Sequence, residues 1–313
     1  MSSTPATMRA LLLTKAPGAT APHITLTTKH PLPMRQPGHV LVRIHASAIH
    51  PSDLLNALGG FGHNVFPRVP GHGVAVFGTS GSTHTFTVDG FQADYAVVPE
   101  RAVVPKPDSL SHVQAATLGV PFTTAALVVR RSEVKAGDTV LVIGAHGNVG
   151  RCVCVLLEEM GCKILRAVLG QGADIDTSAD PELKSVSRLA PTGVNAVIDT
   201  VGSPSLSSAA IEVALGHAGR LVFIAAPRAR GSSVAHLCTN MLDFYRAEKS
   251  LVGVNTVSHS SEQMAGLLRE LEPLFESGRW KYAVSGEWEE VCIENAAEAY
   301  ASNDGRKSVI TMA

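Results

Sequence analysis

The residues of this chain best suited to chemistry are Gly144, Ala145, His146, Gly147, Asn148, Val149 and Gly150. An apolar, β-branched run, Thr139–Ile143, leads into them. Val149, Val153, Leu156, Leu157 and Met160 then recur at helical spacing. The pattern is strand, tight turn, helix. Glycines in such a turn let the backbone approach a pyrophosphate, and the helix N-terminus adds unpaired N–H groups and the positive end of its dipole. A glycine pattern alone is weak. With a strand before it and a helix after it, the context that dinucleotide binding requires is present.

The residues beyond the turn bear on which dinucleotide. Sites selective for NAD place an acidic residue about 20 positions after the glycines, on the adenosine 2′-hydroxyl. Here the next strand-like run, Lys163–Val168, continues Leu-Gly-Gln-Gly-Ala, and no Asp or Glu occurs before Asp174. Nothing in that stretch repels a 2′-phosphate, so NADPH is expected over NADH. Arg166 is a candidate contact for the phosphate, with an ordinary strand arginine as the equally weighted alternative. A second pattern, Tyr245-Arg-Ala-Glu-Lys249, has the spacing of the acid/base pair of short-chain reductases. Those proteins carry the glycine turn near their N-terminus, whereas here it follows a whole β-rich region. A helical surface pair is the expected reading.

These groups need a scaffold to position them. Met8–Leu13, His39–Ala46 and Phe91–Val98 read as strands, separated by turn signals such as Pro17-Gly18, Pro37-Gly38 and Pro70-Gly71. Residues 111–131 turn helical. Strand-like runs Thr139–Ile143, Lys163–Val168, Val194–Asp199, Arg220–Ala225 and Ser250–Val254 then alternate with helical stretches that include Ser205–Gly216 and Ser260–Ser277. Pro273 is expected to break the latter. Helix Ile293–Ala301 and strand Lys307–Met312 close the chain. Alternation of this kind implies an α/β domain with a parallel sheet covered on both faces.

Composition narrows the partners. The net charge of −1 and an aromatic content of 5% argue against nucleic acid. No apolar run approaching the ~18 residues of a membrane span is seen, so no membrane partner is expected. The five cysteines, Cys152, Cys154, Cys162, Cys238 and Cys292, form no C-x-x-C pair. Their usage fits a reducing compartment, and the cytoplasm is the expected location.

Several motifs occur in a shared order: His50-Pro-Ser-Asp53, Phe66-Pro-Arg-Val-Pro-Gly71, Gly90-Phe-Gln-Ala-Asp-Tyr-Ala-Val-Val-Pro99, Pro121-Phe-Thr-Thr-Ala125, Ala145-His-Gly-Asn-Val-Gly150, Asp199-Thr-Val-Gly202 and Gly305-Arg-Lys307. With them the chain resembles the medium-chain dehydrogenase/reductase superfamily over nearly its whole length. Within it, the chain looks like the zinc-free quinone oxidoreductase and enoyl reductase branch. The resemblance implies a GroES-like β-rich domain, residues 1–118 joined by 281–313, and a doubly wound Rossmann domain, residues 119–280. It implies NADPH-dependent reduction of a small-molecule quinone or activated C=C. Thr200, Val201, Gly202, Ile224, Ala225, Ala226, Gly253 and Asn255 would approach the cofactor. His50 and Asp53 would line the nicotinamide side, with Thr123 or Thr124 facing it. His50, Tyr95, Tyr245 and solvent remain open as proton donors. A homodimer through the segment around 237–254 is also implied.

No metal is expected. Zinc-dependent relatives carry Cys where His50 stands and Gly-His-Glu where Gly71-His72-Gly73 stands, and no cysteine here precedes Cys152. The chain departs from its relatives in one respect. The stretch Val74–Asp89 is compressed and lacks a Gly-Asp-x-Val strand. That leaves open an alternative: an NADPH-binding interaction module with a degenerate substrate site.

Overall fold

Short apolar alternations build the first third of the chain. In the computed structural model, the described residues are 6–19, 21–61, 63–74, 78–227, 234–284, 288–302 and 306–312. Strand β1 (Thr7–Thr14) buries Met8, Ala10, Leu11 and Leu13 and pairs antiparallel with β2 (His23–Pro31). Strand β3 (His39–Arg43) is followed by β4 (Ala46–Ala48) and helix α1 (Pro51–Ala57). Strand β5 (Gly73–Val74) pairs antiparallel with β6 (Gly78–Thr79), and β7 (Tyr95–Pro99) returns to pair with β3. Strand β2 was not evident in the sequence, because its half-exposed, Thr-rich pattern lacks a buried face.

Helix α2 (His112–Ser132) runs through Pro121 and leads into the alternating region. There follow β8 (Thr139–Ile143), α3 (Asn148–Glu159), β9 (Lys163–Val168), β10 (Ile175–Asp176), α4 (Val186–Leu189), β11 (Val194–Asp199), α5 (Pro204–Ala209), β12 (Leu215–Phe223), α6 (Met241–Arg246) and β13 (Ser250–Gly253). The strands form one parallel sheet in the order β10-β9-β8-β11-β12-β13. Numbered from β8, this is the 3-2-1-4-5-6 order of the doubly wound dinucleotide fold. Leu141, Ile143, Leu165, Val197, Ile211 and Leu221 form its core. Helix α2 has the length and mean hydropathy, 1.3, of a membrane-crossing segment, which the sequence reading did not register. However, 72% of that window is buried in the protein, the signature of a core helix.

The expected helix Ser205–Gly216 is shorter. After α5 a single π turn, Ala210–Ala214, gives way to β12 at Leu215, five residues before the expected strand start. The cause is a tight backbone crossing: a Cβ on Gly193 would lie 2.4 Å from the Gly216 nitrogen. The break expected at Pro273 is present, dividing α7 (Ser261–Glu270) from α8 (Glu272–Glu276). Strand β14 (Trp288–Cys292), α9 (Ala296–Ala301) and β15 (Lys307–Thr311) follow, with β15 between β14 and β4. Gly305 of the C-terminal motif lies outside the described residues.

The chain divides into two compact units, Met1–Thr123 with Thr256–Gly278 and Gly286–Ala313, and Thr124–Asn255 with Arg279–Ser285. This differs from the division read from sequence. Residues 256–278 join the strand-rich unit because Arg269 donates to the carbonyls of Arg101 and Val103, Ser109 Oγ donates to the Phe275 carbonyl, and the Phe122 and Phe275 rings meet edge to face. Residues 279–285 join the sheet unit, where Arg279 pairs with Glu159 at 2.7 Å.

The compressed stretch is not left with ragged edges among its described residues. Phe86 and Phe91 are fully buried, and Arg68 reaches under them. Its guanidinium donates to the Thr85 carbonyl, the Val65 carbonyl and Asn56 Oδ1, and lies 4.8 Å over the Phe66 ring. Asn56 Nδ2 completes the knot, donating to the Thr85 carbonyl and hydroxyl at 3.0 Å. Burial pushes the Arg68 guanidinium down to about 10, still protonated at neutral pH. Arg68→Met removes one donor from each of three oxygens; the Thr85 carbonyl keeps Asn56 Nδ2 and Asn56 Oδ1 keeps Asn64 Nδ2, so the cost is that of the lost charge-assisted bonds, about 1.5–3 kcal/mol. The variant should lose about 2 kcal/mol in urea unfolding. A loss under about 1 kcal/mol would show that the stretch holds without the arginine.

Candidate active site

Parallel pairing lines up the ends of the sheet strands. Ala167, Ile143, Asp199, Phe223 and Gly253 form one row across β9, β8, β11, β12 and β13. The residues just past that row are therefore side by side on the carboxyl edge. They include the Gly144–Gly150 turn, Thr200–Gly202, Ile224–Ala226 and Gly253–Asn255, all singled out from sequence. This edge is where open α/β sheets bind ligands.

Backbone contacts hold the edge close. Gly144 turns out of β8 at φ +79°, where a Cβ would lie 2.5 Å from Thr200 Oγ1. Thr200 in turn donates its backbone N–H (3.1 Å) and its hydroxyl (2.9 Å) to the Ile143 carbonyl. A Cβ on Gly150 would lie 2.1 Å from the Gly144 carbonyl oxygen, and one on Gly202 would lie 2.1 Å from that of Ala225. Gly147 is the N-cap of α3 at φ −72°, and no side chain caps the helix there. A helix start with no side-chain cap, directly after a glycine turn, is the geometry that receives an anion. The residues fit a dinucleotide pyrophosphate.

The sequence reading named Asp199 as the start of a motif but gave it no role. It is fully buried, and its Oδ1 accepts the N–H groups of Val201 (2.8 Å) and Gly202 (2.9 Å). Its Oδ2 accepts the Ser207 hydroxyl at 2.6 Å. Three donors thus tie the cofactor-side turn to β11 and α5 while satisfying a buried charge. The signal was an acid ending a mostly apolar strand.

Arg166 is held in an ion pair. It lies inside β9, one position before the row, and its guanidinium pairs with Glu158 near the far end of α3. Glu158 is ten residues from Asn148, roughly 15 Å along the helix axis. Asp174 is also engaged, its Oδ2 accepting the Arg166 N–H at 2.7 Å. His146 is exposed at the turn, and its carbonyl accepts Arg151 Nε at 3.0 Å. The Tyr245/Lys249 pattern does not form a dyad. Helix α6 ends at Arg246, Tyr245 is exposed, and the Lys249 amine donates to the Ile211 carbonyl.

In the strand-rich unit, His50 is the N-cap of α1 and Asp53 its third residue. Asp53 Oδ2 reaches back to the His50 N–H at 2.9 Å. Its Oδ1 accepts both the His72 N–H (3.1 Å) and His72 Nδ1 (2.6 Å). All three residues are buried, and the Nε2 atoms of His50 and His72 have no partner. Burial pushes His50 down to about 4, so it is neutral at neutral pH. Burial alone would raise the Asp53 carboxyl; the His72 charge and hydrogen bond, with the His50 imidazole and N–H, hold it below the usual carboxylate value. Thr123 donates to the Gly119 and Val120 carbonyls of its own helix, and Thr124 beside it is buried. Tyr95 is half-buried on β7.

His50 and His72 stand where the resemblance puts zinc-ligand motifs of zinc-dependent relatives, and the donor set around them does not fit the metal. Catalytic zinc takes three protein ligands plus an open position. Two imidazole nitrogens are available, while both Asp53 oxygens are engaged. Cys292, the cysteine of this unit, is exposed and bonded to Glu294. Among the described residues, no group of three His, Cys, Asp or Glu is placed to hold a metal ion.

No protein-family profile matches the chain. Whole sequences do. A zinc-type alcohol dehydrogenase-like protein of Schizosaccharomyces pombe is 41% identical over 288 residues, 88% of this chain and 87% of that one. The quinone oxidoreductase of Mus musculus is 26% identical over 298 residues, 86% of each. Among solved structures, Escherichia coli YhdH with bound NADPH superposes with a TM-score of 0.72 at 20% identity, over 97% of this chain and all of that one.

The glycines of the turn are not equivalent. Gly150→Ala places a methyl group where the Gly144 carbonyl lies and should lower the melting temperature by several degrees, as about 1–3 kcal/mol of overpacking does. Gly147→Ala has ordinary φ and a nearest contact of 3.2 Å, and should melt within about a degree or two of wild type. Scanning calorimetry of the two variants checks the ranking, and equal losses would contradict it.

Proposed function

The chain belongs to the medium-chain dehydrogenase/reductase superfamily, in its quinone oxidoreductase-like branch, and on that premise we propose that it is a zinc-independent, NADPH-dependent reductase of quinones or activated C=C bonds. Its oxidoreductase relatives support an enzyme; the cofactor and substrate are the proposal. The observation that carries it is the glycine cradle on the carboxyl edge, with an α3 N-terminus free of side-chain caps. The first-turn N–H groups of α3 would take the pyrophosphate, with Gly144, Ala145 and His146 beneath it. Thr200–Gly202, Ile224–Ala226 and Gly253–Asn255 are positioned along the same edge for the rest of the cofactor.

NADPH is preferred because residues 169–173 contain no carboxylate and Asp174 is bonded to the Arg166 backbone. Solved structures of the same fold include one with NADPH and one with NADH, so the preference rests on the residues after β9. Bound NADPH supplies a hydride. A quinone or enone accepts it without a Lewis acid, since the conjugated carbonyl takes up the electron pair, and this matches a site with two metal donors rather than three. The five unpaired cysteines support a reducing compartment, the cytosol, as its place of work.

Gly147→Asp separates binding from folding. Asp is a favourable N-cap, so α3 should form at least as well, but its carboxylate occupies the anion site. NADPH affinity by titration calorimetry should fall roughly 100-fold or more, about 2.7 kcal/mol. Undiminished binding would refute the site. Wild-type turnover should be detected with quinones or α,β-unsaturated ketones and be faster with NADPH than with NADH. NADPH binding without turnover on either class would support the interaction-module reading instead.

The same reading includes a homodimer through β13. It is the edge of the sheet, and among the described residues no strand pairs with its outer side. Leu251 is exposed there, beside a depression of about 570 Å³ lined by Met241, Phe244 and Val252. A second copy would satisfy the edge N–H and C=O groups and cover this apolar surface. Light scattering should give twice the 32.8 kDa chain mass, and Leu251→Lys should give the monomer. A monomeric wild type at micromolar concentration removes the dimer.

A further inference from the structure

Arg151 is a cation beside the glycine turn to which the cofactor reading gives no task. It is the fourth residue of α3. Helical side chains lean toward the helix N-terminus, so its stem runs back over the turn. There its Nε donates to the His146 carbonyl at 3.0 Å, which anchors the guanidinium. The side chain is half-buried, and among the described residues its two terminal nitrogens have no hydrogen-bond or ion-pair partner.

Contacts also settle which way this part of α3 faces. Arg151, Cys154 and Glu158 stand at i, i+3 and i+7, on one face of the helix. Glu158 meets Arg166 of β9 in an ion pair. Burial pushes the Cys154 thiol up to about 11, while the guanidiniums of Arg166 and, more weakly, Arg151 pull it down. The stripe therefore lies over β9. A helix that crosses over between parallel strands runs back against them, so Arg151 is at the end of the stripe nearest the carboxyl end of β9. The loop after β9 adjoins the same turn: a Cβ on Gly172 would lie 3.9 Å from the His146 ring. This corner is where NAD-selective folds put a carboxylate on the adenosine 2′-hydroxyl. The nearby carboxylates are engaged otherwise. Asp174 accepts the Arg166 N–H, and Asp176 Oδ1 accepts the N–H groups of Gly170 and Ser178, at 2.9 Å each.

We propose that Arg151 is the specificity-determining residue for the adenosine 2′-phosphate of NADPH, a role that rests on the cofactor reading above. A guanidinium anchored at Nε presents its terminal nitrogens as a pair, the fork that matches two phosphate oxygens. NADH offers a hydroxyl there and gains nothing from it. Arg151 thus adds attraction where the lack of a loop carboxylate only removes repulsion. Arg166, which Glu158 holds, is not needed for the role.

Arg151→Gln keeps a donor for the His146 carbonyl and deletes the charge. Adenosine 2′,5′-bisphosphate and adenosine 5′-monophosphate differ only in the 2′-phosphate, and titration calorimetry compares them. The variant should bind the bisphosphate and NADPH roughly 10- to 100-fold more weakly, the range of a lost hydrogen bond to a charged group, and the monophosphate and NADH within about twofold of wild type. Its melting temperature should stay within about two degrees of wild type. Equal losses for NADPH and NADH would put the guanidinium on the pyrophosphate and overturn the assignment, as would no loss for either. A second measurement uses the wild type alone. Phenylglyoxal should modify Arg151 in the free protein, read by mass spectrometry, and the bisphosphate should protect it while the monophosphate does not. Resistance in the free protein, or equal protection by both ligands, overturns the role. A wild type that binds NADH as tightly as NADPH overturns the role and the NADPH preference but leaves the glycine cradle standing. A wild type that binds neither dinucleotide overturns the cofactor reading, and this role with it.

Discussion

Gly150 sits directly against the carbonyl oxygen of Gly144, and the functional edge of the sheet unit depends on that approach. Any side chain at position 150 would push α3 away from the end of β8. The helix N-terminus would then no longer face the carboxyl ends of the neighbouring strands. The same economy recurs at Gly202 under the Ala225 carbonyl and at Gly144 under Thr200. Three absent methyl groups thus bring three backbone segments together. Asp199 anchors one of those segments by hydrogen bonds, so the edge is shaped by close approach and held by a buried charge.

The strand-rich unit solves a different problem. Its short strands leave backbone carbonyls to be met by polar side chains. Arg68 and Asn56 donate to those of Val65 and Thr85. Asp53 joins the α1 turn to His72 through two backbone N–H groups and one imidazole. Such networks are costly when incomplete, because an unmet buried polar group pays its full desolvation cost. Against that background the unpartnered Nε2 atoms of His50 and His72 are conspicuous.

Surface ion pairs contribute little by comparison. Arg166–Glu158 and Arg220–Glu133 are partly exposed pairs of the kind that contributes about 0–1 kcal/mol.

The sequence by itself determined the fold class, the parallel sheet and the glycine turn. Each is written in local periodicity or in residues that alone permit a backbone conformation. Strand and helix runs alternate with clear periods, and Gly144 and Gly150 stand where only glycine fits. The break at Pro273 was equally local. Only the tertiary structure decided the partners of polar side chains, because hydrogen bonds link positions far apart in the chain. Nothing near Arg166 in its strand announced that Glu158 would claim it, and nothing near Asp53 announced His72, nineteen residues on. The grouping of residues 256–278 with the strand-rich unit was likewise hidden, since a helix pattern records which face is apolar but not what covers it.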